Sequence, residues 1–156
     1  LDVVPTQVTL VPDPPEALTS NAGWDTIKNK AFLTDIVGQF KAKGIRTSIF
    51  VDANPLMIAN AKDTGTDRVE LYTESYAAHY LQNREDAIRD FVVAAQEAQR
   101  QQIGLNAGHD LSLVNLRYFQ EQIPDLLEVS IGHALICDAL YLGLQETIRQ
   151  YLLQLQ

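Results

Sequence analysis

Sulfur is nearly absent from this sequence, which has one cysteine, Cys137, and one methionine. A single thiol excludes an internal disulfide and any cysteine-built zinc site. Because Cys137 sits in an apolar helical run, it is expected to be a buried structural thiol rather than a nucleophile. Cations are scarce as well, with 12 Lys and Arg against 20 Asp and Glu and a formal charge of −8. That balance argues against nucleic acid or an anionic membrane as partner, because phosphate backbones require a dense basic surface. It leaves room for small phosphorylated substrates, which backbone N–H groups at a helix start can hold. No apolar run approaches the roughly 20 residues of a membrane span, and no leader-like segment opens the chain, so the cytoplasm is expected. The first residue is Leu1 rather than Met, inside an apolar stretch, which suggests a piece of a longer protein.

Several familiar signatures are missing too. There is no Gly-x-Gly-x-x-Gly, Walker loop, His-Glu-x-x-His or Gly-x-Ser-x-Gly. The three histidines lack metal-ligand spacing, so no metal is expected.

What the sequence does have is alternation. Short β-branched runs at 7–11, 45–51, 67–72, 103–106 and 127–131 read as strands. Between them lie amphipathic stretches: 27–43 ending at Gly44, 54–65 opened by Asn54-Pro55, 83–102, and a long leucine-rich helix from about 134 to 155. Strand–helix alternation with tight glycine stops means a parallel sheet with crossover helices. Residues 1–156 show no linker or composition break and read as one domain. Periodicity leaves two architectures open: an open doubly wound sheet of five strands, or part of a (β/α)8 barrel.

Parallel α/β folds place their chemistry where strands end. The first strand runs into Pro12-Asp13-Pro14-Pro15 and then Thr19-Ser20-Asn21-Ala22-Gly23, a polar loop that either faces substrate or simply leads to a cap at Asp25. Asp52 reads as a solvated turn residue. Glu70 lies inside an otherwise apolar strand; in a barrel it would point inward, with a raised pKa or a partner. His109 follows Asn106-Ala107-Gly108 at a strand end, where small residues let an imidazole approach a ligand. Gly132-His133 opens the final helix, where free N–H groups and the helix dipole favour phosphate. His79 reads as an exposed helical residue.

Four ordered stretches, Val8-Thr9-Leu10-Val11-Pro12, Arg68-Val69-Glu70-Leu71-Tyr72-Thr73, Asn106-Ala107-Gly108-His109 and Ile131-Gly132-His133-Ala134, resemble the pyridoxine 5′-phosphate synthase family of vitamin B6 biosynthesis. The resemblance implies a (β/α)8 TIM barrel, of which this chain would supply strands four to eight and lack the first three. It implies condensation of 1-deoxy-D-xylulose 5-phosphate with 3-amino-2-oxopropyl phosphate, releasing phosphate and water, with no cofactor and a homo-octameric assembly. By position, His109 matches a proton donor of the later steps and Glu70 a residue stabilising charged intermediates. Gly132 and His133 match the aminoketone phosphate site, Thr19 matches a threonine contacting the deoxyxylulose phosphate, and Asp110 falls at a substrate-contacting backbone position. The chain departs from many members at Asp13-Pro14-Pro15, at Asn21-Ala22, and at Asp110, where glycine is common. The catalytic residues of the first three strands are missing, so this chain alone is expected to be inactive. Other readings are a different phosphate-binding barrel enzyme, of isomerase or aldolase type, and a non-catalytic five-stranded α/β binding module. The first lacks a strand-end lysine here; the second lacks its acidic cluster.

Overall fold

Each of the short alternating runs becomes a strand in the computed structural model, which describes residues 2–156. The strands are β1 (Gln7–Leu10), β2 (Arg46–Val51), β3 (Arg68–Tyr72), β4 (Gly104–Gly108) and β5 (Leu126–Ser130). The helices are α1 (Lys30–Lys41), α2 (Pro55–Lys62), α3 (Glu74–His79), α4 (Arg84–Gln101), α5 (Leu116–Gln122), α6 (His133–Leu142) and α7 (Leu144–Gln154).

All four strand pairings are parallel, and the spatial order is β1-β2-β3-β4-β5. That order settles what periodicity left open. A doubly wound sheet must reverse its strand order at some point, whereas a barrel adds each strand beside the last. Curvature supports the same conclusion. In a flat sheet, β1 and β5 would lie roughly 19 Å apart, at about 4.8 Å per strand. Here Gln7 Nε2 on β1 donates to Glu128 Oε2 on β5 at 3.3 Å. The sheet is therefore curled into part of a (β/α)8 barrel.

The two faces divide by chemistry. Outward-facing Ile49, Val51, Val69, Leu71, Leu105 and Ala107 pack with Leu33 and Val37 of α1, Ile58 of α2, Phe91 of α4 and Phe119 of α5 in one buried core. Each of the larger side chains contributes about 1.5–3 kcal/mol by leaving water. Tyr76 of α3 packs edge-on against Phe91 and Phe119, with centroids 5.9 and 5.0 Å away. The inward face carries Thr9, Arg46, Arg68, Glu70, Asn106 and Glu128 instead.

Local signals explain most element ends. Asn54 accepts from the Leu56 N–H and Pro55 occupies the first helical position, as expected. Asp25 accepts from the N–H groups of Ile27 and Lys28, capping the turn that leads into α1 rather than α1 itself. The expected long terminal helix is instead two. Gly143 adopts φ +79, a conformation that interrupts a helix, and α6 ends there. Cys137 is exposed, contrary to the buried thiol expected from its apolar surroundings. The reason is that α6 fully buries none of its residues: Leu135 packs against the core, but Ile136 and Leu140 are exposed on the same side of the helix as Cys137. His79 is exposed near the end of α3, as expected. Among the described residues, no helix is long and apolar enough to cross a membrane.

Candidate active site

The parallel register brings the carboxyl ends of the strands to one edge. Glu70 pairs with Asn106 across the β3–β4 ladder, and Gly108 pairs with Ser130 across β4–β5. A cavity of about 1000 Å³ opens at that edge. Thr19, Glu70, His109, Asp110, Gly132 and His133 all line it, so every site residue proposed from sequence reaches the same space.

Glu70 is 6% exposed and points into the barrel interior. Its Oε2 accepts from the Thr9 hydroxyl at 3.0 Å. Burial pushes its carboxyl above the ordinary value; hydrogen bonds from Thr9 and Ser130 and the nearby imidazole of His109 oppose that, while Glu128 reinforces it. Among the described residues, no arginine or lysine pairs with it directly. When ionised, a desolvated carboxylate of this kind can stabilise a nearby cation.

His109 is held on three sides. Its Nε2 lies 2.7 Å from the Thr19 hydroxyl, its Nδ1 lies 2.7 Å from Asp110 Oδ2, and the Tyr72 ring meets it edge-on with centroids 5.4 Å apart. Its backbone has φ +98, a conformation bulky residues rarely adopt. Gly108 before it is required for space. A Cβ there would lie 2.4 Å from the Ser130 carbonyl oxygen and 3.0 Å from Glu70 Oε1.

The loop after β1 is fastened over the cavity. Trp24 Nε1 donates to the Leu10 carbonyl and the Trp24 N–H to Phe50, at 3.1 and 2.8 Å. The Tyr72 hydroxyl donates to the Ser20 carbonyl, and the Ser20 hydroxyl to Asp13. Asp52 is more than a solvated turn residue, since its carboxylate accepts from the Gly23 N–H at 3.1 Å. A Cβ on Gly23 would clash with the backbone of Val51 and Asp52, so glycine permits this docking.

Gly132 precedes α6 and has no side-chain capping bond; a Cβ placed on it would meet nothing within 4 Å. Neither packing within this chain nor a positive φ demands glycine there. The first N–H groups of α6 are therefore presented to the cavity without a competing side-chain acceptor, the arrangement suited to a phosphate. The Asp110 N–H donates to Thr73 Oγ1 at 3.2 Å and its carboxylate faces His109.

Sequence reasoning passed over Thr9, Tyr72, Thr73 and Ser130. Strand alternation would have put Thr9 on the face of Glu70, but the partners of Thr73 depend on the turn after β4. Lower in the barrel lies a polar cluster that was also missed. Glu128 Oε1 is 2.8 Å from both Arg46 and Arg68, and Arg68 also donates to Asn106 at 2.9 Å. Burial alone would raise the Glu128 carboxyl, but Arg68 and Arg46 outweigh it and hold it below the ordinary value.

A singly wound parallel sheet with an acid, an imidazole and a helix start around one carboxyl-edge cavity defines part of a (β/α) barrel with its candidate site at the usual edge. The family model described as pyridoxal phosphate biosynthesis protein PdxJ matches residues 1–156, and the chain belongs to that family. It is 60% identical over 151 residues to a pyridoxine 5′-phosphate synthase of Bacteroides thetaiotaomicron, covering 97% of this chain and 64% of that protein. It is 55% identical over 152 residues to the Christiangramia forsetii protein of that name, again covering 97% and 64%. With the Cytophaga hutchinsonii protein of that name the identity is 56% over 155 residues, covering 99% and 65%. The chain thus spans less than two thirds of the length of these relatives. A crystal structure of the HMG-CoA lyase from Brucella melitensis superposes with a TM-score of 0.52 at 15% identity, over 80% of this chain and 48% of that one. This last likeness concerns the fold alone.

Proposed function

We propose that this chain is the strand-four-to-eight portion of a pyridoxine 5′-phosphate synthase, one (β/α)8 domain whose other strands come from outside residues 1–156. The whole protein condenses 1-deoxy-D-xylulose 5-phosphate with 3-amino-2-oxopropyl phosphate and releases phosphate and water. The observation that carries this reading is the convergence of Glu70, His109 and the Gly132-His133 helix start on one cavity.

Ring closure from an aminoketone and a deoxysugar proceeds by amine addition, dehydration and proton shuffling. Each step needs a group that gives or takes a proton near neutral pH, the task to which imidazole is suited. His109 performs the transfers at Nε2, the ring nitrogen on the Thr19 side. Glu70 stabilises the cationic nitrogen intermediates, and its desolvated setting strengthens that interaction. Gly132 and His133 hold the aminoketone phosphate at the positive end of α6, and Thr19 contacts the phosphate of the deoxysugar. Asp110 contributes to the cavity wall. Phosphates held in this way are non-reacting handles that orient the reactive carbons. The assembly is a homo-octamer and the setting cytoplasmic, as the family resemblance suggests.

The test is direct. The full-length protein, incubated with both substrates, is expected to form pyridoxine 5′-phosphate, detected by its absorbance and mass. Failure to form it, in a folded preparation that binds inorganic phosphate, would reject the reading.

A further inference from the structure

The neighbour of His109 in sequence is also its neighbour in space, which ordinary strand geometry forbids. Successive side chains of an extended chain point to opposite sides. At His109, φ +98 turns the backbone so that the imidazole and the Asp110 carboxylate face one another. This unusual conformation is fixed by bonds from three directions. The His109 N–H donates to the Ser130 carbonyl at 3.1 Å, and the Thr73 hydroxyl donates to the Gly108 carbonyl at 2.7 Å. The Asn115 side-chain amide donates to the Asp110 carbonyl at 3.3 Å, and Thr73 Oγ1 receives the Asp110 N–H. A backbone outlier pinned so thoroughly beside a reactive side chain is a reason to look for function.

We infer that Asp110 is a positioning residue that holds the His109 ring with its proton on Nδ1 and its lone pair at Nε2, facing Thr19 and the cavity. An ionised carboxylate can only accept, so the 2.7 Å contact requires Nδ1 to be the donor. In the neutral ring Nε2 is then the acceptor, and the Thr19 hydroxyl donates to it across 2.7 Å. The remaining groups around the ring do not compete for Nδ1: Tyr72 presents an aromatic edge, and Glu70 bonds to Thr9. The ring therefore begins turnover as a base at Nε2. It takes there a proton that the substrate loses and returns it from the same atom to a departing hydroxyl, which leaves as water. Asp110 meanwhile retains the Nδ1–H.

This inference rests on His109 being the proton-transfer group of the proposed synthase, and its test separates the two. In full-length protein labelled with ¹⁵N-histidine, His109 is assigned by the signals lost in His109→Gln. At alkaline pH, two-bond ¹H–¹⁵N spectra are expected to show the wild-type proton on Nδ1. In Asp110→Ala and Asp110→Gly, the majority proton moves to Nε2 and kcat falls at least about tenfold, while KM changes little. Asp110→Glu recovers the Nδ1–H form and part of kcat. A wild-type proton on Nε2, or removal variants with unchanged tautomer or unchanged kcat, would overturn the assignment. A protein that makes no pyridoxine 5′-phosphate would defeat the functional reading, while the tautomer spectra would still decide the role of Asp110.

Discussion

Two carboxylates, Glu70 and Glu128, stand on the same inward face of the same curled sheet, yet their surroundings treat them oppositely. Glu128 is gathered with Arg46 and Arg68, the first residues of β2 and β3, both 2.8 Å from its Oε1. Glu70 lines the carboxyl-edge cavity, buried against hydroxyls, and among the described residues it forms no ion pair with an arginine or lysine. The Glu128 carboxyl is held below its ordinary value, and the Glu70 carboxyl is driven above it. Residue type and face are the same for both; the neighbouring charges set them apart.

That contrast can be broken at the reactive end first. His109→Ala in the full-length protein is expected to lower product formation by about 10²- to 10⁴-fold, the usual contribution of a general acid–base, with phosphate-ligand affinity largely retained. Steady-state assay and calorimetric titration check the two halves of that statement. Next in size is Gly108→Ala, whose added methyl would lie 2.4 Å from the Ser130 oxygen. It should cost about 1–3 kcal/mol in urea unfolding and also displace His109, so activity falls with stability.

At the compensated end, Arg68→Ala leaves Glu128 with one cation. Arg68 is 14% exposed and Glu128 41%, so solvent moderates the loss to about 1–2 kcal/mol, with little effect on substrate affinity. The smallest and sharpest effect is on pH dependence. Glu70 has a higher pKa folded than unfolded, so the folded state holds more protons between the two values. Its contribution is fully present below the ordinary carboxylate range and is lost as pH rises through the folded value. Glu70→Gln should flatten that decline. Glu128 has the opposite sign: its contribution is present above the ordinary range and fades as pH falls through its depressed value, so Glu128→Gln should remove part of the acid-side loss. Thermal melts across pH read both slopes, and slopes of the same sign would contradict the comparison.

Much of the outer layer was legible from sequence because burial there imposes a period. Val69 and Leu71 alternate with Glu70, and Ile88, Phe91 and Ala95 recur at helical spacing, so strands and helices announce themselves. Capping chemistry at Asn54-Pro55 was equally plain. The break at Gly143 was hidden because leucines continue on both sides of it. Cys137 was misread for a related reason: an apolar neighbourhood in sequence says nothing about which neighbours this chain supplies. At the site, Glu70, His109 and Gly132-His133 stood out by residue type and strand-end position. Their fastening did not. Thr73 reaches Gly108 and Asp110 only because the chain turns at His109, and a positive φ on a histidine leaves no mark in the sequence. The strand order that selected a barrel over a doubly wound sheet is likewise a long-range property.

A crystal structure of the full-length protein soaked with pyridoxine 5′-phosphate examines the whole scheme at once. The phosphate is expected against the Gly132–Ala134 amides, with the pyridine ring between the Glu70 carboxyl and His109 Nε2. A product bound elsewhere, or lying in this cavity with its ring out of reach of both side chains, would contradict the account.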